Sequence, residues 1–537
     1  MKTTYPQSWA VQKLGDVMDV QGGSQPPKSE FIYEPHGDFV QLLQIRDFGE
    51  KTVPTYVPKN KVTKFCTKDD VLIARYGASL GRILTGLEGA YNVALAKTIF
   101  DKRLFFNKYL FYLLKTSVLQ SPLKMISRSA QNGFAKHEIA HAQLPIPPLN
   151  EQHRIVAKIE ELFSELDKGI ENLKTAQAQL KVYRQALLKH AFEGKLTAQW
   201  RAENSVIPAQ AGIHSNEKLD SRLRGNDSMG GGNDRRVETA EALLKRIQQE
   251  RGQRFQQQLA DWEAAGKQGS KPKAPKPLEP LTAEELDELP ELPEGWGWEK
   301  LGNIAELIGG VTKGKNLDGK EKISLPYLRV ANVQDGYLDL TEIKNIEVET
   351  RDKDKYLLEF GDVLYTEGGD KDKLGRGAVW RSQIEACIHQ NHIFRARVFG
   401  GVIIPEILSL YSQTKSAKKY FFRHAKQTTN LASINLTVLA NLPVVIVCQS
   451  EQKQILLEIE ARLSEVDQLD QTITTSLQQA EALRQSILKK AFSGQLVEQD
   501  PHDEPASALL ARIKAERAVG AKNAHTAAKS HKTAGRK

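Results

Sequence analysis

The chain has 537 residues, 75 Lys and Arg against 66 Asp and Glu, and a formal charge of +9. That length exceeds the roughly 250–300 residues over which one hydrophobic core grows, so several domains are expected. No apolar run reaches the ~18–20 residues that span a bilayer, no apolar stretch follows Met1–Pro6 to make a signal peptide, and Cys66, Cys387 and Cys448 are too scattered for a zinc site or a disulfide framework. The compartment expected from this is a reducing cytoplasm.

Residues 1–148 mix short β-like runs, Phe39–Leu43 and Val71–Ala74, with Gly, Pro, Asn and Asp, and carry a helical stretch at Asn107–Thr116. They read as a basic α+β domain; residues 1–150 hold 19 Lys and Arg against 12 Asp and Glu. From 149 to 196 the pattern becomes a seven-residue period. Ile159, Leu166, Leu173, Leu180 and Leu187 form one stripe, and Ile155, Leu162, Ala176 and Tyr183 most of a second. A period of seven held this long argues for a coiled coil, a rod of ~65 Å at 1.5 Å per residue. The alternative is an amphipathic helix packed on its own domain.

Residues 197–294 read as a linker. Within it, 205–236 holds Pro208, Gly212, Gly225 and the run Gly230–Gly232 with little apolar periodicity, which describes a solvated, disordered insert. Its sequence resembles a translated bacterial intergenic DNA repeat. The stretch 278–294 is acidic. Residues 295–447 return to α+β character, with β-like runs at Tyr327–Val330 and Val444–Ile446 and a helical stretch at Pro405–Tyr420. Residues 448–496 repeat the heptads: Ile459, Val466, Ile473, Ala480 and Ile487, with Ile455, Leu463, Leu469 and Leu483 beside them. The tail 497–537 is basic and reads as a floppy, solvated end.

The chain is therefore written twice. With no gap, Glu151-Gln152, Asp167, Arg184-Gln185 and Ala191-Phe192 recur 300 residues later as Glu451-Gln452, Asp467, Arg484-Gln485 and Ala491-Phe492. Upstream, Lys13-Leu14-Gly15 matches Lys300-Leu301-Gly302, Gly22-Gly23 matches Gly309-Gly310, and Leu144-Pro145 matches Leu442-Pro443. Downstream, 242–247 resembles 508–513.

Catalytic motifs fail one by one. Gly309–Lys315 nearly fits a phosphate-binding loop, but Asn316 stands where Ser or Thr would hold Mg²⁺, and a turn follows where a helix should start. Neither Pro-Pro pair has the flanking Asn or Asp and aromatic of a base-methylating tetrapeptide. There is no GxGxxG. Two non-identical heads and two matched rods without catalysis describe a two-headed ruler on duplex DNA, whose separation also fixes the rotational setting. They describe equally a scaffold that docks two partner proteins without reading DNA.

Leu144–Gln152 with Ile155, echoed by Leu442-Pro443, Glu451-Gln452 and Ile455, resembles the specificity subunit of type I restriction-modification systems. So do Leu292–Trp296 and Thr428–Asn435. Copy two departs at Val444–Cys448, which lacks the second proline-rich turn. The resemblance implies two α/β target recognition domains that read the two halves of a split, asymmetric DNA site. It implies two long helices packed as an antiparallel coiled coil that sets the gap, with a pseudo-twofold internal repeat. It implies no catalysis in this chain and no metal. Two methylation subunits and restriction subunits would dock on it and carry S-adenosylmethionine, ATP and Mg²⁺.

On that basis, basic and amide residues in the turns of each head are candidate DNA contacts, Arg and Lys for phosphates and guanine, Asn and Gln for adenine. In head one these are Arg46, Arg75, Tyr76, Ser79, Arg82, Arg128, Gln131, Asn132 and Lys136. In head two they are Arg329, Asn332, Lys371, Lys373, Arg376, Gln427, Thr428, Asn430 and Asn435.

Overall fold

The computed structural model describes residues 5–50, 52–126, 133–204, 239–267, 271–272, 274, 276–314, 316–369, 373–427 and 432–519. The chain divides into two units, Met1–Thr175 with Ile473–Lys537, and Ala176–Thr472. Each holds one head and parts of both long helices, Leu149–Phe192 and Gln449–Ala491. The proposed insert 205–236 lies outside the described residues.

In the first unit, Ala10–Lys13 pairs antiparallel with Gln143–Ile146, the strand that leads into the first long helix. A four-stranded antiparallel sheet runs in the order Met18–Gly22, Leu95–Phe100, Leu72–Ala74, Ile83–Leu84. A second sheet, Tyr56–Pro58, Phe39–Leu43, Gly89–Tyr91, Phe65–Cys66, contains the parallel pair Leu42-Leu43 with Ala90-Tyr91. Helices Asn107–Leu114 and Ser117–Ile126 follow. The second unit repeats the plan. Gly297–Lys300 pairs with Pro443–Ile446, and Ala305–Gly309, Ile393–Val398, Val363–Thr366 and Gly377–Val379 form the four-stranded sheet. Its parallel pair is Tyr327-Leu328 with Ile388-His389.

The Glu-Gln pair repeated in the first turn of each long helix has the same work in both units. Gln152 is fully buried. Its Oε1 accepts from Phe106 N at 2.8 Å, and its Nε2 donates to Leu104 O at 2.8 Å and Pro147 O at 3.0 Å. Gln452 does the same with Ile404 N at 2.7 Å, Val402 O at 2.8 Å and Val447 O at 2.7 Å. Glu151 accepts from Trp9 Nε1 and Glu451 from Trp296 Nε1, each at 2.9 Å. Buried polar groups must be paired, so these side chains tie strand, turn and helix start into one piece.

The Gly-Gly pairs are close-approach points. A Cβ on Gly310 would run into the His389 carbonyl, and one on Gly23 into the carbonyls of Tyr91 and Asn92. The near-match to a phosphate loop in copy two is thus a packing requirement shared by both heads.

The expected helix Pro405–Tyr420 is two helices, Pro405–Ser412 and Lys415–His424. Thr414 Oγ1 accepts from Ala417 N at 3.1 Å and caps the second one. Much of the tail is not floppy. Residues 506–519 are helical, and Ala506, Leu509, Leu510 and Ile513 are buried in the first unit's core. Ala240, Leu243 and Ile247 of helix Ala240–Ala264 play that part in the second unit. The starts of these helices match as well: Ala506 N donates to Ser8 O and Ala240 N to Gly295 O, each at 3.0 Å. Among the described residues, no helix is long and apolar enough to cross a membrane.

Of the heptad stripe, Ile159, Leu187, Ile459, Val466, Ile473, Ala480 and Ile487 are buried, and Leu166, Leu173 and Leu180 are half-buried. The second stripe holds in part: Ile155 and Ile455 are buried, and Leu162, Ala176 and Leu463 half-buried. Tyr183, Leu469 and Leu483 are 48%, 53% and 51% exposed. Where these turn outward, the second row runs four residues past the stripe position, and polar residues occupy it. In the first unit, Arg484 donates to Asp167 and its guanidinium lies 4.6 Å from the Phe163 ring centre. In the second, Arg184 Nη1 donates to Asp467 at 2.8 Å and Gln177 Nε2 to Asp470 at 3.0 Å. The two helices run in opposite directions within each unit, with Ile155 and Ile159 sharing a core with Leu488 and Ala491 in the first, and Leu188 and Ala191 with Ile455 and Ile459 in the second.

Candidate nucleic-acid interface

Three segments far apart in sequence meet in head one. The first is the turn Ile45–Phe48, closed by Asp47 Oδ2 accepting from Gln44 N at 2.8 Å. Arg46 is exposed on it, with Nη2 donating to Thr55 Oγ1 at 3.1 Å. The second is the loop after strand Leu72–Ala74, which carries Arg75, Tyr76 and Ser79. Gly77 and Gly81 take positive φ there, and Gly81 N donates back to Ala74 O at 2.9 Å. The Arg75 guanidinium sits 5.2 Å from the Tyr76 ring centre. Arg82 joins the first two segments, its Nη2 donating to Phe48 O at 3.0 Å.

The third segment starts at Gly133, where φ is +74° and a Cβ would strike the Arg75 carbonyl and the Tyr76 ring. Lys136 follows, exposed, with Nζ 2.7 Å from Asp19 Oδ1. That hydrogen bond holds the Asp19 carboxyl below its ordinary range. Arg128, Gln131 and Asn132 lie outside the described residues.

Head two brings together the same three segments. Arg376 occupies the place of Arg82, since both precede the edge strand of the four-stranded sheet. It too reaches back to the first segment, the turn Val330–Asn332, with Nη1 donating to Oε1 of Gln334 just past it at 2.7 Å. Gly368-Gly369 pairs with Ala432-Ser433, which pairs with Lys426-Gln427, so the 366–376 loop and the 427–435 segment share one small sheet. Lys373 packs beside Gly369, and Gln427 is exposed. Lys371, Thr428 and Asn430 lie outside the described residues.

Two expected base readers do other work. Asn332 is 3% exposed, its Oδ1 accepting from Arg329 N at 2.8 Å and its Nδ2 donating to Asp339 O at 2.8 Å and Glu342 O at 3.0 Å. Its amide is consumed inside the turn and cannot reach a base edge. Asn435 remains exposed, but its Oδ1 caps helix Leu436–Ala440 by accepting from Val438 N at 2.9 Å. Arg329 is partly committed as well, with Nη2 donating to Glu342 O at 3.2 Å. Residues missed from sequence include Gln334, the partner of Arg376, and His392, whose Nδ1 lies 2.5 Å from Glu367 Oε2. No local pattern marks either one, because their partners are 42 and 25 residues away.

Between them the two faces offer guanidinium, ammonium, amide and aromatic groups on glycine-shaped loops. Among the described residues, no group of three or more His, Cys, Asp or Glu could hold a metal ion. Such a face suits hydrogen bonding to a polyanion and its base edges.

Residues 6–175 and 293–482 match the family described as "Type I restriction modification DNA specificity domain". The chain belongs to this family. Each matched stretch takes in one head and a large part of the long helix after it. The chain is similar to the type I restriction enzyme EcoKI specificity subunit of Escherichia coli strain K12, 22% identical over 538 residues that cover 96% of each chain. It is similar to the StySPI specificity subunit of Salmonella potsdam, 22% identical over 539 residues with the same coverage. In fold it is similar to a chain from a study of complex assembly and conformational transition in the type I R-M system, with a TM-score of 0.58 at 17% identity over 92% of this chain and 99% of that one.

Proposed function

We propose that this chain is the DNA sequence-recognition subunit of a type I restriction-modification complex. Head one reads one half of a split, asymmetric site and head two the other. The two long helices act as one antiparallel coiled coil that sets the gap, and methylation and restriction subunits assemble on the chain. The observation that carries this reading is a face built twice to one plan and furnished differently. Arg82 and Arg376 are held alike, while Arg46, Arg75 and Tyr76 in head one have no like-for-like counterparts in head two. Two such faces suit two different half-sites.

The chain performs no reaction in this reading. S-adenosylmethionine, ATP and Mg²⁺ belong to the partner subunits, and adenine is the base modified. Mapping methylated adenines in the host genome, with and without the gene and with the partner subunits expressed, tests it. Loss of one split motif is the expected result. An unchanged methylation map would overturn the proposal in favour of a scaffold that docks proteins without reading DNA.

A further inference from the structure

Head one carries a cationic recess beside the face described above. It holds about 600 Å³ and is lined by Asp47, Phe48, Arg82, Phe111, Lys115 and Gln120 among others, all within the first unit. It opens directly from the face described above, since Phe48 and Arg82 belong to both. Its frame is rigid: Gln120 Nε2 donates to Gly81 O and to Leu114 O, each at 2.9 Å, and so bridges the arginine loop to the helix pair.

Lys115 ends helix Asn107–Leu114. It is exposed, yet its ammonium lies 3.8 Å from the Phe111 ring centre and 5.8 Å from that of Tyr112. Burial of the ammonium, followed by the charges of Arg484 and Arg82, pushes it down to about 8. The helix dipole and the ring faces favour a cation here but leave its net charge in place. Three carboxylates near it are engaged elsewhere. On the adjoining recess, which also includes Lys115 and Glu171, Glu160 pairs with Lys108 at 2.8 Å and Asp167 with Arg484. Asp47 on the first recess is 5% exposed, with Oδ2 accepting from Gln44 N inside the turn. A solvent-reachable cation beside Arg82 and Arg484, in a recess braced by Gln120, suits an anion.

We propose that this recess clamps a backbone phosphate of duplex DNA between Arg82 and Lys115, and that head one alone has it. Head two holds Gln413 at the equivalent helix end. Its Nε2 donates to Ser409 O at 3.2 Å and its backbone carbonyl accepts from Gln185 Nε2 at 3.1 Å. The inference rests on the DNA-binding function proposed above. It adds an asymmetry: half of the complex's footprint is gripped by an extra, sequence-independent contact.

The test is Lys115→Gln, which installs the head-two residue, in the full chain with its partner subunits on duplex DNA. One phosphate contact contributes about 0.9 to the slope of log K against log salt, or roughly eightfold in affinity at 0.1 M salt. The expected result is a slope lower by about one and an unchanged methylation motif, with Lys115→Arg restoring the slope and an unaltered thermal midpoint for both variants. Acetylation of Lys115, read by mass spectrometry, is expected to fall when DNA is added. Wild-type binding with an identical slope in Lys115→Gln would overturn the clamp and leave the function standing. An identical slope with lost co-purification of the methylation subunits would overturn it in favour of an acidic protein contact. Wild-type protein that binds DNA without any salt dependence, or not at all, would overturn the function first and the clamp with it.

Discussion

Gln452→Met offers the sharpest check on why a Glu-Gln pair opens each long helix. Methionine nearly matches glutamine in volume and fills the same space, so the change removes hydrogen bonds with little cavity cost. The fully buried amide of Gln452 accepts from Ile404 N and donates to Val402 O and Val447 O. Each bond contributes about 1 kcal/mol net, and each buried backbone group left unpaired costs about 1–3 kcal/mol. The expected loss is about 3–5 kcal/mol, a large share of the 5–15 kcal/mol typical of a folded domain. Hydrogen exchange is the suitable assay, because a chain of two units need not unfold in one step. Protection should fall at the Ile404 amide and across 443–452, and the strand pair Gly297–Lys300 with Pro443–Ile446 should loosen with it. Gln152→Met should do the same in the first unit, at the Phe106 amide. Exchange at wild-type rates in either variant would refute the view that this amide locks strand, turn and helix start together.

Three further outcomes are expected. Arg75→Ala with Arg82→Ala should weaken DNA binding and lower its salt slope by one to two units, read in a salt titration; an unchanged titration would remove both from the interface. His389 is buried, its Nδ1 lies 3.0 Å from Ile393 O, and burial lowers it to about 4 from the ordinary 6.5. Between those values the unfolded chain binds the extra proton, so stability should fall as pH drops from 6.5 to 4, by roughly 3 kcal/mol, and level off below; urea midpoints against pH should lose this component in His389→Leu. Truncation after residue 504 should expose the partners of Leu509, Leu510 and Ile513 and destabilise the first unit by roughly 5 kcal/mol, read as lost hydrogen-exchange protection around Leu14 and Leu110.

Features that depend on local period or on matched motifs were legible in the order of residues alone. The seven-residue stripe was legible because one row of a helix repeats at fixed spacing whatever lies opposite, and Ile459, Val466, Ile473, Ala480 and Ile487 are buried as that row demands. The second row was legible only in part. It follows the geometry of the facing helix and not the apolarity of Leu469, Leu483 or Tyr183, so Asp470 and Arg484 occupy it. The break at Gln413-Thr414 was open to a local argument through the capping threonine, as were the turn of Asn332 and the cap of Asn435. Those two amides were assigned to DNA because composition ranks side chains by what they could bond, whereas folding decides what they already bond. The Glu-Gln motif stood out as a repeat, but its reason, three backbone groups brought to one buried amide, exists only after the head has closed. The interface divides in the same way. Its arginines and glycines could be picked from turns in the sequence, but their meeting could not. Arg82 reaching Phe48, Arg376 reaching Gln334 and Gly133 seated on Tyr76 are contacts between segments dozens of residues apart, fixed by sheet order and not by spacing along the chain.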